Sequence, residues 1–249
     1  AVILEPTGAS SGRVPLSAAF VSMLREITAV KGIVLIFDEV VTGFRVAPGG
    51  AQEMLAIKPD LTTLAKILAG GLPAGAVTGA KEIMDHLDFA ATAEKGCPKI
   101  PHQGTFNANP LSAAAGVTML EQVAETDVCR RAAEQGDKLR RAWNKVFADE
   151  GVDWAAYGLG SCVYLHTNPD GLEVDPLAFN ASDHPVTFFD NASGHPAVPL
   201  LLLALKVNGV DVSSKPGAMT SAVHSNRDIA ETAVAMSRAI TMLKAESML

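Results

Sequence analysis

A chain of 249 residues that is 48% hydrophobic and 19% charged can bury a substantial core, in one large domain or two modest ones, and is not a disordered polymer. Its net charge is −7, with no cluster of Lys and Arg forming a basic stripe, which argues against nucleic acid or an anionic membrane as a partner. Three scattered cysteines, Cys97, Cys129 and Cys162, have no CxxC spacing, so they fit a reducing cytoplasm better than a disulfide framework or a zinc site.

The chain opens on Ala1-Val2-Ile3-Leu4, an apolar strand with no initiator Met, no signal peptide and no polar lead-in. Such a start is expected of the middle of a longer gene product, or of an excised piece of one. Pro6 and the Gly/Ser-rich residues 7–12 stop the strand. Pro15 suits the first turn of a helix, whose apolar face is expected to be Leu16, Phe20, Met23, Ile27 and Val30, with Gly32 as its stop. Ile33 to Phe37 are five apolar residues without alternation, the pattern of a strand buried on both faces in a parallel sheet, and they lead into Asp38-Glu39. Strand, helix and strand make a βαβ unit. Residues 59–65 predict another strand, followed directly by Lys66. A turn is expected at 70–75, an antiparallel strand at 76–79, loops over 88–110, and a helix over 111–124 packed through Ala113, Ala114, Ala115 and Gly116.

Residues 127–147 predict an amphipathic helix with Val128, Ala132, Leu139, Ala142 and Val146 on its apolar side. Beyond Gly151 come short strands, then a polar, Pro-rich stretch over 168–199. Within it and just beyond, the apolar run from Val198 to Leu205 is far too short to span a bilayer. A last helix begins near Ser225 or Asn226, either of which can cap it, with a stripe of Ile229, Ala233, Met236, Ile240 and Leu243. Met236 and Met242 are expected as core filler. The composition shifts near residue 125, dividing the chain into 1–124 and 125–249, and there is no internal repeat.

Two residues invite a chemical reading. Asp38 ends a fully apolar strand, where a carboxylate is costly unless something cationic or protic meets it. Lys66 follows a later strand within Leu64-Ala65-Lys66-Ile67-Leu68, a setting that predicts burial and a lowered lysine pKa. In one parallel sheet both would sit at the carboxyl ends of the strands, where ligands bind in open α/β sheets. A pyridine cofactor explains the pair: the lysine bonds its aldehyde, and the aspartate keeps the ring nitrogen protonated. A structural Asp–Lys ion pair explains it equally well. His102 and His224 stand alone in loops without further ligands, so no metal site is expected. Residues 70–79 lack the features of a dinucleotide fingerprint or P-loop.

The motifs around these residues resemble a known family. Leu35-Ile36-Phe37-Asp38-Glu39-Val40-Val41-Thr42-Gly43-Phe44-Arg45 resembles the aspartate motif of the class III aminotransferases, and the segment from Asp60 through Lys66 to Ala76 resembles their lysine motif. Glu5-Pro6 resembles their upstream Glu-Pro pair, and His102-Gln103-Gly104-Thr105-Phe106-Asn107-Ala108-Asn109-Pro110-Leu111 their phosphate-contact segment. The resemblance implies a fold type I, α/β architecture. Residues 1–124 would be the C-terminal part of the large pyridoxal 5'-phosphate-binding domain, with a mostly parallel sheet between helices, and 125–249 a small α+β domain. It implies Lys66 as the Schiff-base lysine and proton carrier, Asp38 as the partner of the pyridine nitrogen and Val40 as the surface packed on the ring. It implies Gly104 and Thr105 as phosphate ligands that reach the neighbouring subunit's site, and hence a homodimer. Glu5, Glu39, Thr42 and Arg45 are expected to act structurally.

Several features differ from the family pattern. The upstream half that supplies the rest of the phosphate cup and the other face of the ring is not in this sequence. Val41 and Ser10 stand where the ω-amino-acid branch often has Gln and Glu, and residues 215–226 carry no Arg for an α-carboxylate. Val223-His224-Ser225-Asn226-Arg227-Asp228-Ile229 resembles the tail of the glutamate-1-semialdehyde aminomutase branch, while residues 212–219 lack that branch's glutamate. The resemblance therefore implies a transaminase that moves an amino group between an amino compound and an oxo acid or aldehyde. An aminomutase making a 2,1-shift and an inactive truncated fragment are the alternatives.

Overall fold

The structure is a computed structural model describing residues 1–249. It forms two compact units, one of Ala1–Ser11 with Leu16–Thr126, the other of Gly12–Pro15 with Asp127–Leu249.

The first unit is built on a four-stranded sheet, in the order β1 (Val2–Leu4), β2 (Leu35–Asp38), β3 (Leu61–Ala65), β4 (Gly75–Gly79). The first three strands are parallel, with Leu4 opposite Phe37 and Asp38 opposite Thr63. β4 returns antiparallel, Leu61 opposite Gly79 and Ala65 opposite Gly75. β2 lies between β1 and β3, yet its burial alternates, with Ile36 only half-buried, so the burial on both faces that the apolar run predicts is met on one face alone. Leu35 and Phe37 are fully buried and, with Val21, form a core to which Leu16, Leu24, Leu55 and Ile57 add.

Helix α1 (Ala18–Val30) corrects the sequence reading in two respects. It starts after Ser17, whose hydroxyl accepts from the Phe20 amide at 3.2 Å, rather than at Pro15. Its buried residues are Val21 and Thr28, whereas Phe20 is 42% and Val30 83% exposed, and Met23 and Ile27 are exposed too. The helix carries two adjacent apolar rows, and the one containing Val21 and Leu24 meets the sheet. Thr28 can lie on that face because its hydroxyl donates to the Leu24 and Arg25 carbonyls. Residues 88–110 are less irregular than expected, since Phe89–Glu94 is a short helix capped by Asp88. Helix α2 (Gly50–Leu55) lies between β2 and β3 in sequence. Helix α3 (Pro110–Glu125) is capped by Asn109, which accepts from the Leu111 and Ser112 amides. Its small residues have a role: a Cβ on Gly116 would stand 2.9 Å from the Leu68 carbonyl oxygen, and one on Gly70 2.5 Å from that of Ala115. The helix thus packs backbone to backbone on the turn that follows β3.

In the second unit, helix α4 (Val128–Glu150), the antiparallel sheet β5 (Ala155–Tyr157), β6 (Cys162–His166) and β7 (Gly217–Met219), and helices α5 (Val198–Val207) and α6 (Asn226–Ala245) share one core. The deepest row of α4 is Cys129, Gly136, Leu139, Trp143 and Phe147. Of the expected stripe only Leu139 belongs to it, and Ala142 and Val146 flank the core. The large aromatics Trp143 and Phe147 rotate the helix onto themselves because burying them removes the most apolar area. Met236 is fully buried, but Met242 is 42% exposed and is not core filler. Ser225 caps α6 in a capping box with Asp228. No helix is long and apolar enough to cross a membrane.

His166, at the end of β6, is 1% exposed, and its Nδ1 has no hydrogen-bond partner. Phe188 stacks on His166 and on His184, each at 4.1 Å. Burial, reinforced by nearby His184 and opposed by Asp170 and a backbone bond at Phe188, lowers the His166 pKa from the usual histidine value. The unfolded chain then binds this proton more readily than the folded one. The stability contribution is fully present above the ordinary histidine pKa of about 6.5 and is lost as pH falls towards the lower folded value. Denaturant midpoints of this unit measured through the mildly acidic range are expected to decline with acid, and to decline less in His166→Phe.

Candidate active site

The parallel strands bring three charged residues to one edge of the first unit's sheet. Glu5 follows β1, Asp38 is the last residue of β2, and Lys66 is the first residue after β3. Pockets form at such edges because the chain leaves each strand in a different direction. Glu5 is already engaged. Its carboxylate accepts from the Ser10 amide at 3.0 Å, the Ser11 amide at 2.5 Å and the Ser11 hydroxyl at 3.3 Å. Those bonds hold Ser10 and Ser11 in left-handed backbone at φ 53° and 66°, a conformation costing about 1–2 kcal/mol per residue.

Asp38 is half-buried, and its bonds are one-sided. Oδ1 accepts from the Val40 amide at 3.0 Å and the Thr63 hydroxyl at 3.1 Å, while Oδ2 accepts none. Below it the next residue, Glu39, is fully buried. Its carboxylate takes the Ala51 amide at 2.5 Å, the Gln52 amide at 3.2 Å and the Thr42 hydroxyl at 3.2 Å. Glu39 thereby closes the amino end of α2, where the unpaired amides and the helix dipole favour an anion. It pins the turn that carries Val40, which is half-buried. This fits the structural part expected of Glu39.

Lys66 departs from expectation. It is exposed and makes no ion pair with Asp38 or with any other group. Apolar neighbours in sequence do not enclose it, because at Lys66 the chain leaves the sheet through left-handed backbone, φ 53°, and turns through Lys66–Ala69. Left-handed backbone at a non-glycine residue costs on the order of 1–3 kcal/mol and is concentrated at functional sites. The turn is clamped by α3 through the close approaches at Gly70 and Gly116. The structural ion pair that the sequence allowed is not formed. Gly104 and Thr105 lie in an exposed turn closed by the Asn107 amide on the Gly104 carbonyl, and no hydrogen bond joins them to Asp38, Val40 or Lys66.

Thr63 was not singled out by the sequence. The available signal is its position: it lies three residues before Lys66, and an in-register parallel strand puts it beside Asp38.

Comparison with known proteins places this architecture. The family model for aminotransferase class-III matches residues 1–153. Among curated relatives, a glutamate-1-semialdehyde 2,1-aminomutase of Methanosarcina acetivorans is 35% identical over 190 residues, covering 74% of this chain and 43% of that protein. Among solved structures, an omega-transaminase from Sphaerobacter thermophilus superposes with a TM-score of 0.77 at 32% identity, over 96% of this chain and 52% of that one. A transaminase with PLP bound gives 0.79 at 30% identity, over 98% and 52%. The chain thus spans about half the length of the proteins it matches. With the family model covering more than half its residues, the chain belongs to the class III aminotransferases.

Proposed function

We propose that this chain carries the lysine half of a pyridoxal 5'-phosphate site and serves amino-group transfer between an amino compound and an oxo acid or aldehyde. The observation that supports it is the pair of unengaged groups on neighbouring parallel strand ends, Asp38 Oδ2 and the Lys66 amine. A pyridine aldehyde needs these two groups: a primary amine free to bond the aldehyde, and a carboxylate free to meet the ring nitrogen. The residues present fit the cofactor in that sense. Bound there, the cofactor supplies an electron sink for carbanion chemistry.

The chain's own residues supply the rest. The Lys66 amine would tether the cofactor and, once displaced by the incoming amino compound, would take the proton from the substrate's amine-bearing carbon and return it to the cofactor's former aldehyde carbon. Asp38 meets the pyridine nitrogen through Oδ2, and Val40 offers a stiff β-branched surface to the ring. Gly104 and Thr105 are read as phosphate ligands of a second copy's site. Their exposure supports this, as do the neighbouring apolar side chains of Phe106 (80% exposed), Leu111 and Val117, which suit an interface between subunits. On this reading residues 1–124 belong to the large cofactor domain and 125–249 to the small one. Three free cysteines fit a cytoplasmic enzyme.

The likeness to the Methanosarcina aminomutase favours a second reading, an intramolecular 2,1 amino shift. A half-reaction separates the two. With one amino substrate and no acceptor, a transaminase is expected to release a stoichiometric burst of free oxo product. A mutase returns an isomerised amino compound with no such burst. If neither product forms, both readings fail.

A further inference from the structure

We infer that Thr63 is a positioning residue for the cofactor site, acting through Asp38; the inference rests on the reading of Asp38 and Lys66 above. A carboxylate at the end of a strand can rotate about its terminal bond, so either oxygen can face a ligand. Here that freedom is removed. The Val40 amide and the Thr63 hydroxyl both donate to Oδ1, at 3.0 and 3.1 Å, and leave Oδ2 as the one open acceptor of Asp38. The two donors have different origins. Val40 belongs to the turn pinned by buried Glu39. Thr63 lies on the adjacent strand, directly opposite Asp38 in the parallel register.

The ladder reinforces the arrangement. The Glu39 amide donates to the Thr63 carbonyl at 3.0 Å, so the backbone of Thr63 is fastened to the residue after Asp38 while its side chain is fastened to Asp38 itself. Thr63 is also three residues before Lys66, on the strand that ends at Ala65. One threonine therefore helps set the orientation of the carboxylate, from the strand whose end Lys66 directly follows. A hydrogen bond to a charged group is among the stronger ones, and it is spent here on aiming an acceptor.

The test uses the full-length protein with pyridoxal 5'-phosphate. Thr63→Val removes the hydroxyl while keeping shape and strand preference, and Thr63→Ser keeps the hydroxyl. Cofactor dissociation constants and the pH midpoint of the bound cofactor's absorbance are measured, with borohydride labelling on each sample. The expected result is labelling at Lys66 in all forms, cofactor binding weakened about tenfold or more in Thr63→Val, a displaced absorbance midpoint, and recovery of both in Thr63→Ser. In an Asp38→Asn background the Thr63→Val effect is expected to shrink, because the two act as one unit. That cycle also decides the matter if Thr63→Val alone folds poorly, since a merely structural defect persists in the Asn background. Labelling at Lys66 with unchanged binding and midpoint in Thr63→Val overturns the inference and leaves the site reading standing. Equal losses in the Val and Ser forms overturn it as well. Labelling away from Lys66 overturns the site reading, and the inference with it.

Discussion

Replacing Lys66 by alanine is expected to lower turnover of the full-length enzyme by at least about 10²–10⁴-fold, the range that a positioned proton-transfer group contributes. The expectation follows from placement. Lys66 sits at the carboxyl end of β3, beside the strand that ends on Asp38, with an amine that no carboxylate engages. Nothing in the fold depends on that amine, so the alanine variant should retain its denaturation midpoint. Loss of turnover at unchanged stability is the combined signature, read by steady-state rates and thermal unfolding on the same sample. Turnover within tenfold of wild type would contradict the role.

The second large effect concerns stability. Gly50→Ala is expected to destabilise the first unit by about 3–5 kcal/mol, comparable to breaking a buried charged contact. A Cβ there would stand 2.2 Å from Glu39 Oε2, and the backbone is left-handed at φ 73°. The Glu39 carboxylate would have to abandon the amides of Ala51 and Gln52, each buried or partly so. Glu39→Ala strands the same amides from the other side and should cost a similar amount. Because both substitutions break one contact, the double variant should cost little more than the worse single one. Urea denaturation of the four proteins measures this. A Gly50→Ala loss below about 1 kcal/mol would remove Glu39 as the anchor of the turn beneath Asp38.

How much of this was legible in the sequence depends on what each feature needed. β2 was legible as a strand of the parallel sheet from its apolar run, but the burial on both faces that the run implied was not, since Leu35 and Phe37 are buried while Ile36 is only half-buried. The capping of α6 by Ser225 was legible because a cap is a local matter. The face of α1 was not, because the helix has two apolar rows and only the sheet's position selects Val21 over Phe20. The deep row of α4 was missed for a related reason: Trp143 and Phe147 outweigh the smaller residues of the expected stripe. Lys66 was expected to be buried because its sequence neighbours are apolar, but a left-handed turn separates neighbours in sequence from neighbours in space. Asp38 and Lys66 could be named from their motifs. Thr63 could not, since its bond to Asp38 exists only once the register of β2 on β3 is known. Gly104 and Thr105 were named by resemblance alone, and their own surroundings in this chain supply no ligand geometry.

If Lys66 bears the cofactor, trapping the bond between them reveals it. The full-length protein is incubated with pyridoxal 5'-phosphate, reduced with borohydride, digested and mapped by mass spectrometry. A single phosphopyridoxyl adduct is expected on Lys66, on the peptide that also contains Thr63. An adduct on another lysine, with Lys66 unmodified, would contradict it.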